Sequence, residues 1–252
     1  MSEGIDLRSI IEMQRNIPGS FLEESAAVWC VLLEAQRATW TWAGLSGGDY
    51  LEIGVLHGKS ASVLANFSRR YENRLTIIDP DIPAATRQTL DSICRRIGYI
   101  ESPSERVVGS EFSNANRRRM AFAHIDGMHR FSSVIADLQL CETLLADYGI
   151  LSVDDFHTDL FPQIPAAVYK YLYSGVSDLC IFLVGLNKAY LCRNQAKKHF
   201  LQFAGTNLLP RLEKLGYKLT LVKTDRNDSF DAFGIAWFYE QRLFGSEHIT
   251  SR

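Results

Sequence analysis

The chain lacks the marks of several large protein classes. Its five cysteines, Cys30, Cys94, Cys141, Cys180 and Cys192, are scattered and lack Cys-x-x-Cys spacing, so neither a disulfide framework nor a zinc ribbon organises the fold. No apolar run approaches the ~18 residues needed to cross a bilayer. The opening residues MSEGIDLRSIIEMQRN hold no basic stretch ahead of an apolar one, and the expectation is a cytoplasmic protein that is neither exported nor membrane-spanning. There is no excess of positive charge either. A formal net charge of -2 gives no electrostatic reason to expect nucleic acid or an anionic membrane as partner. The one dense basic cluster, Arg117-Arg118-Arg119, reads as a solvated loop.

What is present is ordinary globular material. With 252 residues, 46% hydrophobic and 22% charged, the chain can bury the core of one large domain. Residues 1–45 read as an N-terminal helical segment, because Phe21, Ala26, Val28, Trp29, Val31, Leu32 and Leu33 form a broad apolar face behind Glu23 and Glu24. That segment packs on its own domain, forms a lid, or meets a second subunit in a homo-oligomer. Residues 46–252 form the main domain. From Tyr50 onward, apolar strands and amphipathic helices alternate, the pattern of βαβ units and a parallel sheet. Strands are expected at Tyr50–Gly54, Leu75–Asp79, Arg106–Val108, Met120–Asp126 and Ile150–Asp154. Phe131, Val134, Ile135, Leu138, Cys141, Leu144 and Leu145 mark a helix with Gly149 as its cap. Pro165 sits in the first turn of another helix. The rhythm then changes. Gly185-Leu186-Asn187-Lys188 reads as a tight reversal, a helix is expected over Gln195–Leu215, and two further strands, Lys218–Lys223 and Phe233–Tyr239, flank an Asp225-Arg226-Asn227-Asp228 turn. The fold class is therefore α/β, a mostly parallel sheet with helices on both faces and a terminal antiparallel strand pair.

The stretch DYLEIGVLHGKSASVLANF leaves a strand through Gly54-x-x-x-Gly58 and enters a helix at Lys59-Ser60. Such a turn lets backbone amides approach a ligand closely, and the helix N-terminus favours an anion. The glycine spacing differs from the G-x-G-x-x-G of dinucleotide folds, and Glu52 precedes it inside the strand. Asp79, ending the second strand, is placed to accept hydrogen bonds from a ribose diol of a nicotinamide or S-adenosyl ligand. Ser110 and Glu111 fall on the next loop along the same edge, near the adenine of such a ligand.

Glu52-x-Gly54-x-x-x-Gly58-x-Ser60 with Asp79 resembles the cofactor half of class I S-adenosylmethionine-dependent methyltransferases, in the variant of catechol-type O-methyltransferases. The resemblance implies a Rossmann-like fold, with Gly54 against the methionyl part, Ser60 on its carboxylate and Asp79 on the ribose. Further on, AHIDGMHRF places Asp126 at the end of the fourth strand and His129 just beyond. LSVDDFH places Asp154 and Asp155 at the end of the fifth, followed by His157. Three carboxylates converging on one crevice repel unless a cation joins them, and oxygen ligands of this kind suit Mg2+ or Mn2+. The paired motifs resemble metal-dependent sugar O-methyltransferases of the macrocin type more closely than catechol enzymes, whose third ligand is usually Asn. By that resemblance Asp126, Asp154 and Asp155 hold the metal and His129 is the general base.

The expected function is thus a metal-assisted O-methyltransferase acting on a hydroxylated small molecule, a sugar by resemblance or a catechol or phenol as alternative. A nicotinamide oxidoreductase and a non-catalytic cofactor-binding protein are the competing readings. Phe156, Phe161, Tyr169, Tyr171, Tyr173, Trp40 and Trp42 are candidates to line the acceptor pocket, or else core.

Overall fold

Apolar runs that end in acidic residues dominate the middle of the chain, and each ends at one edge of a shared sheet. The computed structural model describes residues 6–42, 48–223 and 230–237, the side chains of residues 40–42 excepted. Two helices come first, α1 (Leu7–Arg15) and α2 (Glu23–Trp42). The sheet region then runs β1 (Asp49–Ile53), α3 (Lys59–Tyr71), β2 (Leu75–Asp79), α4 (Ala84–Ile93), β3 (Ile97–Glu101), α5 (Glu111–Ala115), β4 (Met120–Ile125), α6 (Phe131–Leu144) and β5 (Leu145–Val153). It continues with α7 (Gln163–Leu172), β6 (Leu179–Gly185), β7 (Lys188–Arg193), α8 (Lys197–Phe203), α9 (Leu209–Lys214), β8 (Leu219–Lys223) and β9 (Phe233–Trp237). The strand order is β3-β2-β1-β4-β5-β7-β6-β9-β8. The strands β3, β2, β1, β4 and β5 are parallel, and β7 lies antiparallel between β5 and β6. The antiparallel pair β8–β9 closes the far edge.

Two apolar layers cover the sheet. One joins Trp29, Leu32, Leu64, Phe67, Phe122 and Phe200 from α2, α3, β4 and α8; the other joins Ile53, Leu138, Leu144, Leu151 and Val168 from β1, α6, β5 and α7. Residues Ala26 to Leu33 of α2 are buried on every side, as expected of a helix enclosed between a sheet and other helices. Trp29 alone carries enough buried aromatic area for truncation to alanine to cost roughly 3–5 kcal/mol.

Three expectations need correction. The third strand is Ile97–Glu101, whereas Ser104–Arg106 forms a single 3-10 turn and Val107 closes it. An edge strand that is half-exposed and contains Gly98 carries little apolar signal, while the bracketed pair Val107-Val108 imitates one. Gly149 does not cap α6. The helix ends at Leu145 in an extended conformation and passes straight into β5, where a Cβ on Gly149 would lie 2.8 Å from the Met120 carbonyl oxygen. The helix expected over 195–215 is divided into α8 and α9 by a π-helical turn at Ala204–Leu208. The 225–228 turn lies outside the described residues. Among the described residues no helix is long and apolar enough to cross a membrane.

One buried carboxyl gives this fold a pH dependence. Asp137 on α6 is 1% exposed. Burial first, and then the charge of Glu105, push it up to about 7 against the effect of the Ser104 hydroxyl. The folded chain therefore keeps a proton that the unfolded chain releases, so stability falls as pH rises from the ordinary carboxyl range through about 7. Asp137→Asn should remove a loss of about 3 kcal/mol between about pH 5 and about pH 8. Denaturant unfolding at the two pH values checks this, and equal slopes in variant and parent would contradict it.

Candidate active site

The site lies at the carboxyl ends of β1, β4 and β5, where side chains just past neighbouring strands face one crevice. Gly54 leaves β1 with φ +84°, and a Cβ there would sit 2.0 Å from the Asp126 carbonyl oxygen. Only glycine fits, because the turns after β1 and β4 are drawn together by the Asp126 N–H donating to the Ile53 carbonyl at 2.8 Å. Gly58 precedes α3 with φ +77°. Asp79 is half-exposed, and its carboxylate accepts from the Val55 N–H at 2.8 Å and from the Asp81 N–H at 2.9 Å. These bonds hold the acidic group against the Gly54–Gly58 turn with lone pairs to spare for a diol.

The remaining cofactor candidates lie at the starts of α3 and α5 or inside β1. The Ser60 hydroxyl donates to Glu52, which is fully buried. Ser110 caps α5, accepting from the Ser113 N–H at 3.3 Å, and Glu111 is exposed in the first turn of that helix. With the third strand at Ile97–Glu101, both residues sit beyond a 3-10 turn rather than directly after a strand.

Acidic side chains after β4 and β5 gather at this edge in two overlapping groups, neither of which holds Asp126, Asp154 and Asp155 together. Asp126 follows β4, Asp154 follows β5, and the Asp154 N–H donates to the Ile125 carbonyl at 2.9 Å. Ligand-type atoms of His124, Asp126 and Asp154 lie within 4.8 Å of one another, and so do those of Asp126, His129 and Asp155. His129 Nε2 stands 3.3 Å from Asp155 and 3.6 Å from Asp126. The ring packs on Phe161 at 4.2 Å between centroids. The facing Asp126 carboxylate raises the imidazole above its ordinary range; burial opposes this, and Asp155 and Asp154 add to it.

Three residues that motif reading passed over complete the site. His124, one strand period before Asp126, is fully buried, with Nδ1 3.5 Å from Glu52 and Nε2 3.8 Å from Asp154. Those separations exceed hydrogen-bond length, and neither ring nitrogen nor Glu52 Oε2 has a hydrogen-bond partner among the described residues. Burial opposes charge on His124, yet the facing Asp154 and Glu52 carboxylates outweigh it and raise the ring's affinity for a proton. Lys188 is 2% exposed and its Nζ sits 2.5 Å from Asp154. Burial again opposes, but the Lys188 ammonium and then His124 hold the Asp154 carboxyl well below its ordinary range.

Asn187 is the third. The β6–β7 reversal places Leu186 at φ 52° and Asn187 at φ 66°, left-handed conformations that favour a two-residue hairpin turn. Leucine there is strained by roughly 1–2 kcal/mol, and burial of Leu186 at 4% exposure offsets the strain. The turn places the Asn187 amide 2.7 Å from Asp155 Oδ1, as donor, and lets its oxygen accept from the His157 N–H at 3.3 Å. A period-two reading of AFAHID carries the signal for His124; Lys188 and Asn187 give none, since both look like solvated turn residues.

A cavity of about 700 Å³ lies beyond Asn187, lined by Leu22, His157, Thr158, Leu186, Asn187 and Trp237 among others. Most aromatic candidates face elsewhere: Phe156 is core, Tyr171 donates to Glu142, and Tyr173 is 70% exposed. His57 is exposed on the glycine turn. The side chains of Trp40 and Trp42 lie outside the described residues.

Residues 51–156 match a family described as a methyltransferase domain. The fold recurs in solved methyltransferases of low identity. The SAH-bound Podospora anserina methyltransferase PaMTH1 is 17% identical, with a TM-score of 0.51, covering 77% of this chain and 90% of that one. The MycE methyltransferase of the mycinamycin pathway, in complex with Mg and SAH, is 14% identical, with a TM-score of 0.54, covering 76% of this chain and 55% of that one. The O-methyltransferase NovP is 15% identical, with a TM-score of 0.51, covering 74% of this chain and 88% of that one. No curated protein matches the chain.

Proposed function

We propose that the chain, whose residues 51–156 match a methyltransferase-domain family, transfers a methyl group from S-adenosylmethionine to a hydroxyl of a small molecule with the help of a divalent metal, Mg2+ or Mn2+. The observation that carries this reading is the pair of groups that share Asp126, one with His124 and Asp154 and one with His129 and Asp155, beside the Gly54 turn. The donor set fits a hard cation, being carboxylate oxygens at the open end of a sheet.

Asp126, Asp154 and Asp155 would hold the metal. When bound, it supplies charge that stabilises an oxyanion and lowers the pKa of an acceptor hydroxyl. His129 is the proton acceptor, with the Asp126 and Asp155 carboxylates near Nε2 favouring its charged form. Gly54 and Asp79 would seat the donor, Asp79 taking the ribose. Because the Asp126 N–H bonds the Ile53 carbonyl, the donor and acceptor sides of the crevice are fixed relative to each other, which favours in-line transfer. Ser60, Glu52 and Gly58 would support this seat from below, Ser60 by bonding Glu52. Ser110 and Glu111 remain candidates for the adenine end.

A sugar hydroxyl is the favoured acceptor, on the resemblance of Ile125-Asp126-Gly127-x-His129 and Val153-Asp154-Asp155-x-His157 to macrocin-type enzymes. A catechol or phenol is the second reading, supported by the largely apolar cavity beside His157. The two separate in an assay that follows labelled methyl from S-adenosylmethionine into panels of glycosides and catechols, with and without chelator. Transfer to neither class, or transfer unaffected by chelator, would overturn the corresponding part of the proposal. For the donor seat, Asp79→Ala should weaken binding of S-adenosylhomocysteine by about tenfold or more while the thermal midpoint changes little. Unchanged affinity would remove Asp79 from the ribose site.

A further inference from the structure

Register pairs Glu52 with His124, His124 with Ser152 and Ser152 with Tyr190, so a polar row crosses β1, β4, β5 and β7 beneath α2. At its active-site end stand Asp154 and Lys188. The Lys188 ammonium is enclosed: its Nζ lies 2.5 Å from Asp154, 4.8 Å from the Phe21 ring centroid and 5.8 Å from that of Trp29. Aromatic faces stabilise a cation without neutralising it, so the only full counter-charge in contact with Lys188 among the described residues is the carboxylate that the proposed metal would also use.

We propose that Lys188 is the resident counter-cation of the acidic site, neutralising Asp154 when no divalent ion is bound and, by its charge, setting the affinity for that ion low. This rests on the metal-assisted reading above. In the metal-free chain, Lys188 removes the penalty of a buried lone carboxylate, which is the penalty that would otherwise drive metal uptake. In the metal-loaded chain the same ammonium repels the dication through a low-dielectric interior. Both effects have the same sign. The hairpin turn at Leu186-Asn187 makes the arrangement permanent, because Lys188 is the first residue of β7 and its backbone is fixed by pairing with Gly185.

The test is calorimetric titration of metal-stripped protein with MgCl2, and separately MnCl2, comparing parent, Lys188→Met and the charge-retaining Lys188→Arg. Lys188→Met should bind the ion at least about tenfold more tightly than the parent, whereas Lys188→Arg stays within about threefold of it. Metal should also raise the melting midpoint of Lys188→Met more than that of the parent. Equal or weaker affinity in Lys188→Met would overturn the inference while leaving the metal-assisted reading standing. Absence of binding in parent and variant alike would sink that reading itself. Should Lys188→Met fail to fold in chelator, folding restored by Mg2+ supports the inference, since ion and ammonium are then interchangeable. A variant unfolded in both conditions overturns it.

Discussion

Asp154→Asn is expected to lower metal-stimulated methyl transfer by about a thousandfold or more, the scale set by losing a preorganised charge at the reacting centre. Asp154 is at once a proposed metal ligand, the partner of Lys188 at 2.5 Å and the nearest acidic neighbour of His124 Nε2 at 3.8 Å. Asparagine keeps the shape and one acceptor but removes the charge. The buried ammonium is then left without a carboxylate, an arrangement that costs roughly 3–5 kcal/mol when one partner of a buried pair is removed. Two readouts should therefore move together: loss of the Mg2+ heat in calorimetry and a lower denaturant midpoint. Full turnover by the variant in chelator would show that neither metal nor Asp154 takes part.

The second large effect is expected at Gly54. Alanine there would adopt φ near +84° and place its Cβ 2.0 Å from a backbone carbonyl oxygen that belongs to Asp126. A side chain can rotate away from a clash, but this oxygen cannot move without separating β1 from β4 and displacing Asp126 with it. The cost should be roughly 3–5 kcal/mol of stability, with binding of S-adenosylhomocysteine lost in any fraction that folds. Gly58→Ala is the contrasting case. Its φ is similarly positive at +77°, yet the nearest atoms to a new Cβ are side-chain carbons of Thr86 and Leu90 at 3.1 and 3.3 Å, which can yield. Its loss should be smaller, about 1–2 kcal/mol. Equal stability of the Gly54→Ala variant and the parent, by urea unfolding, would contradict the account of the turn.

The parts of the fold that were legible in the sequence share a cause. Leu75–Asp79, Met120–Ile125 and the end of β5 are central strands buried on both faces, so their sequences are apolar until an acidic residue marks the crevice. The same rule made Asp79, Asp126 and Asp154 readable as neighbours on one edge. Ile97–Glu101 escaped because an edge strand is half-solvated and its pattern is weak. Gly149 misled because glycine after a helical pattern usually signals a cap, whereas here tight packing on Leu145 and Met120 required it. Lys188 escaped for a deeper reason. A lysine beside a hairpin turn is ordinarily solvated, and its burial arises only when Phe21, just before α2, and Trp29 on α2 are laid over it, a long-range event that no local pattern records. His124 was readable in principle from strand alternation, but a histidine inside an apolar strand has core packing as its simplest explanation.

The central claim is that the Gly54–Asp79 crevice takes an S-adenosyl ligand beside an acidic metal site. Calorimetric titration of purified, metal-stripped protein tests it most directly, with S-adenosylhomocysteine and NAD added in separate runs and MgCl2 afterwards. The account predicts saturable binding of S-adenosylhomocysteine, none of NAD, and a Mg2+ heat that disappears in Asp154→Asn. Binding of NAD without S-adenosylhomocysteine would contradict it, and would reduce the carboxylates after β4 and β5 to turn residues neutralised by Lys188 and His129.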